Sequence, residues 1–261
     1  MRLYHYTSTQ VLTEIVKFKK LWLSSLSYLN DKNEIKHGLD TLLSMLKDDG
    51  KDPKKKDIRE RFADRLNQFR NNPVNIFGFS LTPTGNILSQ WRGYTKPNTG
   101  ISIGFNYEKL AERAAKSGMV MEKCVYKTEE HLSIIKDMVK DFENSYKGEP
   151  VDKYSESKIG WAIQKLSKLK TNEFHEEQEY RLISKHYNLD HLDDVKYRAT
   201  DRFFIPYIEL NIENLNGDGR MFESITIGPR DYVNHDIHSI PQYLSSMNEP
   251  CEVSNPTSSI R

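Results

Sequence analysis

The residues best suited to chemistry stand in three short segments far apart in the chain. They are Tyr4-His5-Tyr6-Thr7-Ser8, then Phe79-Ser80 with Ser89-Gln90-Trp91-Arg92-Gly93-Tyr94, and finally Glu177-Gln178-Glu179-Tyr180-Arg181. Each reads as a strand or the edge of one. In the first, His5 and Thr7 are two residues apart and share a strand face, so an imidazole and a hydroxyl can both hydrogen-bond a ribose. A half-buried packing histidine capped by Thr7 satisfies the same pattern. In the second, Trp91 and Tyr94 are three apart and fall on one side of a helical turn. Flat rings there suit stacking on nicotinamide or adenine, and Arg92 suits a pyrophosphate. Ordinary core aromatics beside a solvated Arg92 fit equally well. In the third, alternation puts Glu177, Glu179 and Arg181 on one strand face. A carboxylate beside a sugar stabilises the oxocarbenium-like charge that grows as an N-glycosidic bond breaks, and Arg181 can set its orientation. A solvated edge strand is the alternative.

The elements that must position these groups follow from periodicity. Strands are expected at Arg2 to Ser8, Leu21 to Ser24, Asn75 to Leu81, Ile101 to Phe105, Met119 to Tyr126, Glu177 to Ser184, Arg202 to Leu210, Met221 to Gly228 and Cys251 to Ser254. Helices are expected at Thr9 to Lys17, from Asp31 through the stripe Ile35, Leu39, Leu42, Leu43 and Leu46, and at Asp236 to Met247. Two more, Glu129 to Tyr146 and Lys153 to Thr171, are joined by Gly148-Glu149-Pro150. The charge run Lys47 to Arg61 reads as a solvated loop leading into a helix that reaches Arg70. Strands and helices alternate irregularly, which favours one α+β domain over 1–261, with 129–171 as a helical insertion, over a doubly wound sheet.

Composition narrows the field. Lys plus Arg (38) less Asp plus Glu (37) leaves a net charge of +1, so no global field advertises nucleic acid or a cationic partner. The 14 Tyr, 11 Phe and 3 Trp argue for a packed core despite a charged fraction of 29%. Cys124 and Cys251 form no CxxC pair and read as free thiols. There is no secretory leader pattern and no apolar run long enough for a membrane span, so a cytoplasmic protein without membrane contact is expected. Walker, GxGxxG, GxSxG and HExxH motifs are all missing. His175-Glu176-Glu177-Gln178-Glu179 has Glu where the last of these needs its second His, and no metal site is expected.

The order YHYTS, LWLSSLSYLNDKNE, FSLT, LSQWRGY, GISIGF, EEQEYRLI and ITIGP, spread over nearly the whole chain, resembles the bacterial family called domain of unknown function 2971. That family is similar to the ADP-ribosyltransferase superfamily, whose members split NAD and move ADP-ribose to an acceptor. The resemblance implies a split β-sheet core with a helical insertion, and NAD as co-substrate. It implies that His5 contacts the adenosine-side ribose with Tyr6 and Thr7 beside it. Ser80, Ser89 and Tyr94 match the middle motif, with Trp91 and Arg92 where better-studied members carry small or basic residues. Glu179 matches the catalytic glutamate and Glu177 its upstream carboxylate. Asn30, Asp31 and Glu34 match a pattern of the family itself, without an assigned role. The activity implied is that of a toxin or phage-defence effector acting on a protein or nucleic-acid acceptor, with a possible antitoxin or defence-system partner. A non-catalytic sensor of NAD or ADP-ribose on the same fold, or an enzyme modifying an RNA 2′-phosphate or end, are the alternatives.

Overall fold

The structure is a computed structural model. It describes residues 1–28, 32–47, 53–69, 75–185, 194–200, 204–213, 220–230 and 233–255, with the backbone alone at 32–34, 53–54 and 233–234. Asn30 and Asp31, and the side chain of Glu34, lie outside the described residues.

The α+β class with a split sheet is what the chain adopts. Ten strands and eight α-helices are described: β1 Arg2–Ser8, α1 Thr9–Phe18, β2 Lys20–Ser25, α2 Lys32–Leu46, α3 Pro53–Asn67, β3 Phe77–Leu81, α4 Leu88–Tyr94, β4 Gly100–Asn106, α5 Tyr107–Lys116, β5 Val120–Lys123, α6 Thr128–Ser145, α7 Val151–Leu166, β6 Tyr180–Ile183, β7 Lys196–Ala199, β8 Phe204–Asn211, β9 Phe222–Ile227, α8 Val233–Ser246 and β10 Glu252–Ser254. One sheet has the order β1-β4-β9-β10, the other β5-β6-β3-β2-β8-β7. They join where Tyr4 and Thr82 exchange two backbone hydrogen bonds, of 2.7 and 2.9 Å.

Two apolar cores hold this arrangement. In the first, Leu3, Ile103 and Phe105 of one sheet cluster with Leu23, Phe79 and Leu210 of the other, closed by residues of α1, α5 and α8. The second is helical. Leu39 and Leu42 of α2, Phe62 and Leu66 of α3, Phe142 of α6 and Ile163 of α7 pack with Ile76 and Ile183 beside the second sheet. Phe62 stacks on Phe142 with ring centroids 4.1 Å apart. The helices expected at 129–171 therefore share their core with α2 and α3.

Three expectations for the elements are corrected. The charge run is helical from Pro53 onwards, because Ile58, Phe62 and Leu66 repeat at helical spacing into that core, and a proline is tolerated in the first turn. The helix expected to reach Thr171 stops at Leu166. Beyond it the chain runs extended beside Val125, with Val125 donating to the Lys168 carbonyl and Lys170 to the Val125 carbonyl, both at 2.9 Å. The strand expected from Glu177 begins only at Tyr180; Asn172–Glu177 form a 3-10 helix, closed by Gln178 in the left-handed region at φ 43°. Helix α5 and strand β7 have no counterpart in the sequence reading. No helix among the described residues is long and apolar enough to cross a membrane.

Candidate active site

Strands β1 and β3 touch at Tyr4 and Thr82 and separate beyond, and the gap between the sheets is the cleft. Its narrow end is lined by Tyr4, His5, Tyr6, Ser80, Gln90, Tyr94, Glu177 and Glu179. It shares His5, Ser80 and Tyr94 with a wider cavity of about 450 Å³ running along α1, β2 and β3 to Arg198 and Glu209. That volume lies in the range of small-molecule sites.

The narrow end is built around Lys170. Its side chain is 1% exposed, and its Nζ lies 2.5 Å from Glu177 and 2.9 Å from Glu179. Arg181 grips Glu179 in a fork, with Nε to Oε1 at 2.8 Å and Nη2 to Oε2 at 2.9 Å. Its third nitrogen donates to the Ser167 carbonyl at the C-terminus of α7, at 2.7 Å. The Ser80 hydroxyl also favours the ionised form of Glu179. Burial alone would raise the Glu179 carboxyl; Arg181, then Lys170 and Ser80, outweigh it and bring the group down to about 2. Burial would likewise lower the Lys170 ammonium, but the two carboxylates hold it above the ordinary lysine range. A carboxylate has about four acceptor positions, and Glu179 spends three of them on Arg181 and Lys170. Glu177 accepts from the Tyr94 hydroxyl at 2.7 Å and from Lys170, leaving lone pairs toward the cleft.

His5 sits at the junction, stacked on Phe79 at 4.1 Å. Its Nδ1 is 2.9 Å from the Ser80 carbonyl; a carbonyl only accepts, so Nδ1 carries the proton and Nε2 is an acceptor. Burial lowers its pKa to about 4, opposed by the Ser80 hydrogen bond and aided by the charge of Arg198. His5 is therefore neutral at physiological pH. Thr7 follows it on the cleft wall.

The remaining sequence candidates divide. Tyr94 reaches the cleft, and burial of its hydroxyl, then Glu177, raise its phenol. Tyr6 lines the narrow end but is mainly a tie: its hydroxyl donates to the Thr84 carbonyl at 2.9 Å and accepts from the Ile87 amide at 2.8 Å. Trp91 does not line the cleft. It is 4% exposed, bonded to Asn86 and edge-on to Tyr6. A Cβ on Gly228 would come within 2.9 Å of its ring, so the two glycines Gly100 and Gly228 make its socket. Ser89 and Arg92 lie on the outer face of α4 with Glu176, in a separate shallow depression. Residues four apart, Gln90 and Tyr94, are the ones that α4 presents to the cleft. Arg181 stands behind Glu179, 3% exposed. Lys170, Gln90 and Arg198 were missed by sequence reasoning. Among the described residues, no group of three or more His, Cys, Asp or Glu side chains is gathered to hold a metal ion.

Residues 90–182 match the model of a family described as Protein of unknown function (DUF2971), the family that the motifs resemble. No curated protein matches the chain. Among solved structures, Thermus sp. 2.9 DarT in complex with NAD+ is similar with a TM-score of 0.34 and 12% identity, over 98% of this chain and 94% of that one.

Proposed function

We propose that the protein is an NAD-dependent ADP-ribosyltransferase, a bacterial toxin or phage-defence effector working in the cytoplasm on a macromolecular acceptor. The observation that carries this reading is the pair of carboxylates at the cleft's narrow end, clamped by buried cations beside a neutral histidine. Breaking the nicotinamide–ribose bond puts positive charge on the sugar, and fixed negative charge in a dry site stabilises it without reorganisation. Glu179, ionised and immobile, supplies that field. Glu177, with acceptor capacity left, would take a ribose hydroxyl or the acceptor's proton. The Nε2 of His5 and the hydroxyl of Thr7 would receive the distal ribose, and the ring of Tyr94 would cover the nicotinamide.

Wild type and Glu179→Gln, incubated with labelled NAD and bacterial lysate, test this reading. Wild type should transfer label, and the variant should lose about 10²- to 10³-fold while still binding NAD. Equal transfer by both, or NAD bound but never cleaved by wild type, would overturn it; the second result favours a nucleotide sensor.

A further inference from the structure

The wide end of the cleft holds a cation that no carboxylate among the described residues pairs with. Arg198, on β7, lines the cavity. One of its Nη atoms donates to the Ser24 hydroxyl at 3.2 Å, and its Nε is buried without an acceptor. No ion pair joins it to a carboxylate among the described residues. Glu209 is occupied by Lys20 at 2.7 Å and Lys196 at 2.8 Å, and Glu14 on α1 lines the same cavity without pairing with Arg198. The half-buried guanidinium lines the cavity with no carboxylate paired to it among the described residues, so a ligand in the cavity can supply the anion. A planar fork of donors fits the oxygens of a phosphoryl group. Phe18 and Trp22, 53% and 37% exposed, stand on the same cavity and offer flat apolar faces to a base.

We infer that Arg198, steadied by Ser24, is the diphosphate anchor of a nucleotide lying in this cleft with its base against Phe18 and Trp22. The inference rests on the proposed use of NAD but concerns binding, so the two fail separately. Ser24 is a positioning residue: it fixes the guanidinium through one Nη. Arg198 and the carboxylates line different ends of the cleft, so the ligand's negative charge is drawn to one end and the developing positive charge to the other.

Calorimetric titration of wild type, Arg198→Met and Arg198→Lys with ADP, NAD and adenosine tests the anchor, with thermal melting to show that each variant is folded. Arg198→Met should weaken ADP and NAD by about 10- to 100-fold and leave adenosine unchanged, and Arg198→Lys should recover part of the loss. ADP binding equally to wild type and Arg198→Met, or not binding to wild type at all, would overturn the inference. Label transfer separates the two proposals. Wild-type kcat/KM for NAD in Arg198→Met removes the anchor and leaves the transferase standing. Arg198-dependent ADP binding without NAD cleavage by wild type keeps the anchor and removes the transferase.

Discussion

The two ends of the cleft handle charge in opposite ways. At the narrow end, Glu177, Glu179, Lys170 and Arg181 are all paired within 2.5 to 2.9 Å. At the wide end, Arg198 has a hydroxyl for company and a buried N–H with no acceptor. The difference separates two tasks. A group that must stabilise a transition state gains from being fixed beforehand, whereas a group that must capture an anion gains from being short of one.

The sharpest way to break the comparison is Lys170→Met. The buried Glu179 and the half-buried Glu177 would lose their common cation, and removing one partner of such a set typically costs about 3–5 kcal/mol. A urea unfolding curve should show a loss of that size; an unmoved midpoint would mean that the narrow end is not held together by charge. Glu177→Gln is expected to be next. It should reduce kcat by about 100-fold, in line with loss of a general base, with NAD affinity little changed. Unaltered turnover would reduce Glu177 to a tether for Tyr94 and Lys170.

The effects of pH come third. His5 has a folded pKa of about 4 against an ordinary 6.5, so it stays neutral, and NAD affinity should be flat, from roughly pH 8 to 5. The unfolded chain takes up that proton first, so the contribution of His5 makes stability fall as pH drops from 6.5 towards 4. Glu179, at about 2 against 4.5, contributes stability above 4.5 that is lost as pH falls towards 2. Acid melting monitored by circular dichroism reads both; an affinity that falls between pH 7 and 6 would contradict a buried neutral His5. The smallest change should come from Arg198→Met in an unfolding assay, within about 0.5 kcal/mol of wild type, because its charge has no ion pair among the described residues to lose. A large loss there would make Arg198 a structural residue and erase the contrast.

His5, Ser80, Glu177 and Glu179 were legible because each belongs to a short polar segment inside an apolar one. Lys170 was not. Lys165, Lys168 and Lys170 look alike in sequence, and only the end of α7 and the pairing with Val125 bury the third of them while Lys168 reaches Glu122. Alternation also misplaced Glu177 on a strand, since a non-glycine residue at positive φ such as Gln178 leaves no local mark. Trp91 shows the same limit in reverse. Its spacing from Tyr94 suited a ligand, but glycines far along the chain at 100 and 228 provide its socket. The α+β class was readable because irregular alternation of strands and helices survives such local errors. Strand β7, Lys-Tyr-Arg-Ala, is only four residues long, too short for its alternation to stand out, and Arg198 was hidden with it.

The junction of Tyr4 with Thr82 has an evolutionary consequence. Both of its hydrogen bonds run from main chain to main chain, so this contact between the sheets does not depend on the side chains of Tyr4 and Thr82. The lining beyond the junction belongs to different strands and to α1, and it can be exchanged residue by residue while the opening is preserved. Such a frame lets a lineage explore new substrates without first relearning how to fold.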